Sequence, residues 1–333
     1  MNEIALDAFW YLAAERQNIF FRRLDGGQKP YTNDDVLLKY SFTNSFRASD
    51  RVSQYLIKNV IYSGDASPEE VLFRILFFKF FNSIETWESI NRKLEEISCH
   101  AYSYNRYDKA LVEVKKENRT IYSPAYIIPS GSSYFGSSFK HQNNLRLIEL
   151  MFDRDILGQL QNSKSLENVY NIFLSFPSIG PFLAFQYTID VNYSELINFN
   201  ESEFVVAGPG AVSGIRKCFG NISDKNEQLI MKLVENQDEE FKKRNIDFKN
   251  LWGRKLQPID IQNLFCEVDK YCRAKHPSIL GVGGRTRIKR KFVSNKLLPE
   301  VWYPPKWGIN KKVKSHYESK SSLTVPIVRA RLD

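Results

Sequence analysis

Apolar residues return every third or fourth position through most of the chain, the spacing that gives a helix one buried face. The pattern predicts a first helix from Glu3 to Arg23, with Phe9, Leu12, Ala13, Ile19 and Phe20 on one side and Asp25-Gly26-Gly27 ending it. A short unit over Asp34 to Tyr40 follows, then a helix through Arg51, Gln54, Tyr55 and Ile57. Ser67-Pro68-Glu69-Glu70 opens the most apolar stretch, Val71 to Phe81, with Pro68 at the first helical position. Arg74 and Lys79 interrupt that stretch, so it reads as the central core helix rather than a membrane span. Further helices are predicted from Thr86 to Glu96, Tyr104 to Glu117, Asn143 to Gln161, Asp224 to Lys243 and Ile259 to Lys275. The stretch Tyr122 to Gln142, rich in Ser, Gly, Pro and Tyr, is a loop. No strand alternation and no repeat of fixed period runs through the chain, which leaves room only for short strands around Tyr122 to Ile128 and Phe204 to Ala207. The fold class is mainly α.

One stretch, Ser165 to Gly214, departs from plain amphipathic spacing. Leu166, Val169, Tyr170, Phe173 and Leu174 form a helical pattern behind a candidate N-cap at Ser165, and Pro177 stops it. The segment Phe176-Pro177-Ser178-Ile179-Gly180-Pro181 turns the chain, and Pro181 opens a second helix through Phe182, Leu183, Phe185 and Gln186. This is a helix-hairpin-helix pattern. Amides at the start of its second helix have no intrahelical partner and can hold one DNA phosphate, helped by the local dipole. A buried helical corner would carry the same residues.

Composition bounds the rest. Of 333 residues, 43% are hydrophobic and 14% aromatic, enough for one large or two ordinary domains with a substantial core. No signal peptide opens the chain, and a cytoplasmic protein with no membrane partner is expected. The four cysteines, Cys99, Cys218, Cys266 and Cys272, show no metal-ligand spacing, so reduced thiols and no metal are expected. The net charge of +9 is concentrated: Arg285 to Ser315 holds ten Lys or Arg against Glu300 alone, interleaved with Phe292, Trp302, Tyr303 and Trp307. Such a segment suits phosphate contacts with stacking aromatics, or else a solvated tail. The division expected is a helical domain over 1–280, with the hairpin near 165–190, and a basic, aromatic-containing segment over 281–333.

Much chemistry is absent. There is no Gly-x-x-x-x-Gly-Lys-Ser/Thr loop, no His-Glu-x-x-His, and the four histidines are scattered. Two glycine-rich turns, at Gly208 to Gly214 and Gly281 to Arg285, lack the Lys-Ser/Thr ending but could present amides to a phosphate. What remains is carboxylate chemistry beside a DNA-facing hairpin. Excising a base needs an anion near the sugar to stabilise an oxocarbenium-like centre. Asp190, at the end of the second hairpin helix, and Glu203, further on, are rival candidates. Lyases similar in this hairpin pattern place a lysine just after it, and Phe182 stands there instead, so Schiff-base lyase chemistry is not expected.

Several separated motifs together resemble a known family: Arg47 to Arg51 after Phe42-x-Asn44, the hairpin followed by Asp190, the Gly-Pro-Gly-Ala turn at 208 to 211, and Phe265-Cys266-Glu267-Val268-Asp269-Lys270-Tyr271. The chain is similar from about Glu15 to Phe292 to the helical domain of the hydroxymethyluracil DNA kinase family, also called the alpha-glutamyl/putrescinyl thymine pyrophosphorylase family. That group is linked to phage DNA hypermodification and resembles helix-hairpin-helix DNA glycosylases. Some bacterial members are implied to be antiphage glycosylases that remove modified cytosines.

The resemblance implies a helix-hairpin-helix DNA glycosylase-like helical fold with a basic C-terminal segment, acting on double-stranded DNA that carries modified bases. The leading expectation is a monofunctional DNA glycosylase of phage defence, a hydrolase without cofactors, that flips a hypermodified pyrimidine such as glucosylated hydroxymethylcytosine. Asp190 or Glu203 would be catalytic. DNA would be held by Ser178, Ile179, Gly180 and Gln186 of the hairpin, by Arg47, Arg51, Gly208, Gly210 and Lys270, and by Arg285, Arg287, Lys289, Arg290 and Lys291. The alternatives are a hydroxymethylpyrimidine DNA kinase or hypermodification transferase, and a non-catalytic DNA-binding module. The sequence is silent on oligomeric state.

Overall fold

The computed structural model describes the chain except for residues 119, 125–127, 223–224, 294–299 and 322–333. Among the described residues there is no strand, only the isolated bridges of Tyr40 with Lys291 and Leu251 with Arg254, so the fold is mainly α. Six helices frame it: α1, Glu3–Leu24; α2, Pro68–Phe81; α3, Leu166–Leu174; α4, Pro181–Val191; α5, Pro209–Phe219; and α6, Pro258–Lys275. The residues divide into two units, one of Met1–Ser49, Gly210–Asp224 and Lys232–Asp333, the other of Asp50–Pro209 and Lys225–Met231. No helix among the described residues is long and apolar enough to cross a membrane.

Two helices expected to be continuous are broken. In place of one from Asn143 to Gln161 stand Lys140–Asp153 and Ile156–Gln161, because Asp155 takes a left-handed φ of 50° and its carboxylate caps the second piece by accepting from the Gly158 N–H. The charged helix from Asp224 to Lys243 is likewise split into Asn226–Glu235 and Gln237–Lys243 at Asn236. Phe204 to Ala207 forms no strand, and of Tyr122 to Ile128 residues 125–127 lie outside the described ones while the rest is not strand.

In the first unit α1 packs along α6, with the rings of Phe9 and Phe265 4.6 Å apart and Trp10 edge-on to Phe241 at 4.7 Å. Pro258 starts α6, and the Asp260 carboxylate closes a capping box by accepting from the Gln257 N–H at 2.9 Å. Its other oxygen accepts from the Arg47 N–H at 2.7 Å, tying the loop after α1 to the start of α6. The Gly-Pro-Gly-Ala turn leads into α5, where Gly210 and Gly214 serve packing. A Cβ on Gly214 would overlap the backbone carbonyl of Phe265, and one on Gly210 would lie 2.8 Å from Cys266 Sγ. Part of the expected basic tail is core: Val301, Tyr303, Ile309 and Val313 are buried, and the Tyr303 and Ser49 hydroxyls share a hydrogen bond of 2.8 Å. Trp307 stacks on Tyr303, and the Arg254 guanidinium lies 3.8 Å from the Trp307 ring centre.

The second unit is built around α2, whose Phe73, Phe77, Phe78 and Phe80 are each at most 2% exposed. The α3–α4 hairpin covers it: Tyr187 of α4 meets Phe80 at 5.8 Å and stacks on Phe173 of α3 at 5.3 Å. Two charges interrupt this apolar packing, and each is compensated. Arg74 donates to the backbone oxygens of Val60 and Asp65, and Lys79 Nζ lies 2.5 Å from Asp190 Oδ2. With Lys79 4% and Asp190 0% exposed, this ion pair between α2 and α4 is removed from water.

Two outcomes follow for stability. Gly214→Ala must push α5 from α6 and is expected to lose about 2 kcal/mol or more in urea unfolding; an unchanged midpoint would contradict the close approach. Asp190→Asn leaves the Lys79 ammonium buried without its counter-charge and is expected to cost about 3 to 5 kcal/mol. Replacing both partners by apolar residues, Lys79→Met with Asp190→Leu, should recover most of that loss, and a double variant as weak as the single one would show that the pair is not the cause.

Candidate functional site

The residues singled out from sequence fall in both units. In the second, the turn between α3 and α4 gathers Ser178, Ile179 and Gly180. Ser178 has a left-handed φ of 64°, the conformation a glycine adopts without steric cost. Ile179 is buried and its N–H donates to the Phe176 carbonyl at 3.3 Å, so that amide is committed inside the turn. Gly180 precedes Pro181 at the start of α4 with open space around its Cα, and its N–H has no partner among the described residues. Gln186 and Asp190 lie further along α4 and are buried, at 4% and 0% exposure. Glu203 is exposed at the end of the 3-10 turn Glu201–Glu203, and Gly208 is buried just before α5. Arg51 is exposed, 3.3 Å from the Glu85 carboxylate. The two candidate carboxylates thus differ in kind: Asp190 is sealed behind Lys79, and Glu203 faces solvent.

In the first unit Arg47 is buried, and Lys270 is paired with Glu267 at 2.7 Å with its ammonium 4.4 Å from the Phe42 ring centre. The Glu267 carboxylate also accepts from the Thr43 N–H at 3.1 Å. The density of acids on α6 therefore has two sources. Asp269 with Arg273 is the i,i+4 pair that the spacing allows, while Asp260 and Glu267 hold the backbone of the segment after α1.

Asp269 is also the hub of a buried cluster. Its Oδ1 accepts from the Ser213 hydroxyl at 2.9 Å and lies 3.3 Å from Lys217 Nζ, and its Oδ2 pairs with Arg273. Lys217 additionally donates to the Asp269 carbonyl at 2.9 Å. Ser213 and Lys217 are one turn apart on α5, so a single helix face supplies both donors. Above this cluster sits the second glycine-rich turn. The Val282 N–H donates to Ser213 Oγ at 3.2 Å, and Gly281 is so close that a Cβ would meet Asp269 Oδ1 at 2.9 Å. The segment that follows holds Arg285, Arg287, Lys289, Arg290 and Lys291, all exposed and none paired with a carboxylate among the described residues.

The same unit carries a polar cleft of about 590 Å³ that includes Tyr11, Glu15, Arg22, Asp34, Asp35 and Lys275. Asp34 organises it. One carboxylate oxygen caps the helix Asp35–Lys39 through the N–H groups of Val36 and Leu37, and the other accepts from the hydroxyls of Tyr271 at 2.6 Å and Tyr11 at 3.2 Å. Burial, and then the bond to Asp34, holds the Tyr271 phenol protonated far above its ordinary range. Sequence reasoning missed Asp34, Ser213, Lys217 and Lys79 as site-building residues. For Lys79 a signal existed, since a lysine inside an otherwise apolar helix must find a counter-charge.

Among curated proteins, a 5-hmdU DNA kinase of Bacillus phage SP10 is 25% identical over 284 residues, covering 80% of this chain and 44% of its own length. The chain thus spans less than half the length of that relative. No solved structure matches. A family model described as "5-hmdU DNA kinase, helical domain" matches residues 3–281. These findings correct the leading expectation. Family and relative alike are named for a DNA kinase and not for cutting a glycosidic bond, so the glycosylase and hydrolase reading is not supported and the kinase alternative fits better. By that match across residues 3–281, the chain belongs to the 5-hmdU DNA kinase helical-domain family.

Proposed function

We propose that this chain acts on 5-hydroxymethyluracil in DNA and takes part in moving a phosphoryl group onto the hydroxymethyl oxygen of that base. The observation that carries the reading is the family match over residues 3–281, supported by the relative named 5-hmdU DNA kinase. In the reaction, the hydroxymethyl oxygen bonds to the γ-phosphorus of ATP, the bond from that phosphorus to the bridging oxygen of ADP breaks, and the hydroxyl proton passes to a base. Such transfers depend on positioning and on neutralising the phosphoryl oxygens more than on covalent chemistry. A base stacked in a duplex is out of reach, so the target must leave the stack.

Of the two candidate carboxylates, Glu203 is the one exposed to a substrate, and we assign it the role of proton acceptor. Asp190, with no exposed surface and Lys79 against it, acts as a positioning residue that fixes α4 on α2. The Gly180 N–H at the head of α4 is offered to one backbone phosphate of the bound strand.

The test is transfer of label from γ-labelled ATP to duplexes containing either 5-hydroxymethyluracil or thymine. Label is expected on the hydroxymethylated duplex alone, and Glu203→Gln should lower the rate about 100-fold while leaving DNA affinity unchanged. Tight DNA binding with no transfer to either duplex would sink the catalytic reading and leave the chain as a DNA-holding module.

A further inference from the structure

We infer that residues 281–291 form a preformed rail for the phosphate backbone of duplex DNA, held at both ends to the first unit. The inference rests on the reading that the chain acts on DNA, and is independent of phosphoryl transfer. Five of the seven residues from Arg285 to Lys291 are cationic. Elsewhere in the same unit cations pair with acids: Arg22 with Glu15, Lys255 with Asp238, Lys275 with Asp35, and Arg244 with Asp7 and Glu240. The five in the rail are exposed and none meets a carboxylate among the described residues. A unit that satisfies its cations internally in so many places leaves this row for an external anion.

A solvated tail would also be basic, but a tail is not pinned. At one end the Val282 N–H donates to Ser213 Oγ, which is buried on Asp269, and Gly281 fits against that cluster only because it lacks a Cβ. In the middle Arg273 Nη1 reaches the Arg287 carbonyl at 3.5 Å. At the other end the Ser41 N–H donates to the Arg290 carbonyl at 3.1 Å, and the Phe292 N–H donates to the Lys39 carbonyl at 3.0 Å. These bonds engage the backbone of the segment and leave its charged heads outward, so little chain entropy remains to be lost when phosphates bind. Phe292, 44% exposed at the end of the rail, adds an apolar ring beside the cations, of the kind that wedges at a base step of a duplex.

The experiment measures binding to a short unmodified duplex across a salt series, for the wild-type chain and for the variant Arg285→Gln, Arg287→Gln, Lys289→Gln, Arg290→Gln and Lys291→Gln. Each lost phosphate contact removes about 0.9 from the slope of log affinity against log salt, so the fivefold variant should flatten it by about 4.5. Ser213→Ala keeps every rail charge but frees the Val282 anchor, and should weaken binding several-fold at fixed salt while its circular dichroism spectrum stays unchanged. An unchanged slope in the fivefold variant, with wild-type binding intact, overturns the rail and leaves action on DNA standing. No wild-type binding at all overturns both. Wild-type affinity in Ser213→Ala overturns the claim that the rail is preformed, and loss of binding to anionic phospholipid vesicles but not to DNA in the fivefold variant assigns the segment to a membrane instead.

Discussion

A carboxylate taken out of water must be met by donors, and the rest of this structure is arranged around that requirement. In the first unit Asp34, Asp260 and Asp269 each lie below 9% exposure, and each is met from more than one element. Asp34 joins α1 to α6 through Tyr11 and Tyr271 while it caps a third helix. Asp260 caps α6 and holds the loop after α1, and Asp269 locks α5 and the glycine turn onto α6. In the second unit Glu70 does the same work. Burial raises its pKa, but the Ser98 hydroxyl and the N–H groups of Cys99 and His100 more than offset this and hold it below the usual carboxylate range. Each acid is thus a junction whose removal would leave several donors and at least two elements without a common partner.

The helices were legible because their signal is local. Proline at the first position marked α2, α4 and α6, and the apolar spacing marked α1 and α3. The breaks at Asp155 and Asn236 were not legible, because each depends on a single residue leaving helical geometry inside a stretch whose periodicity continues across it. The glycine-rich turn at 208–214 has the composition of a phosphate loop, yet Gly210 and Gly214 are required by the approach of α5 to α6, a constraint that exists only once the two helices have met. Composition shows that these residues are small and not what they are small for.

The same limit governed the chemistry. Asp190 was conspicuous as an acid following a hairpin, and only packing shows that Lys79, more than a hundred residues earlier, encloses it. A paired carboxylate with no exposed surface cannot receive a proton from a substrate without opening the core, whereas Glu203 can. The hairpin pattern in the sequence suggests bond cleavage, but such a pattern carries no commitment to one reaction, since function resides in the site rather than in the scaffold.

The charge distribution makes the final connection. Among the many basic residues between Arg285 and Ser315, the later part of the segment is tied into the first unit: Lys312 donates to the Trp252 carbonyl, and Val301, Tyr303, Ile309 and Val313 are core. The earlier part is held by its backbone and left with its side chains outward. One stretch of similar composition therefore does two jobs. Its later residues, Tyr303 among them, supply hydrophobic burial, and its first cations meet no carboxylate among the described residues. Keeping like charges adjacent and unpaired costs stability, and the proposed rail would recover that cost on meeting a partner with regularly spaced negative charge, the property that a DNA backbone supplies regardless of its sequence.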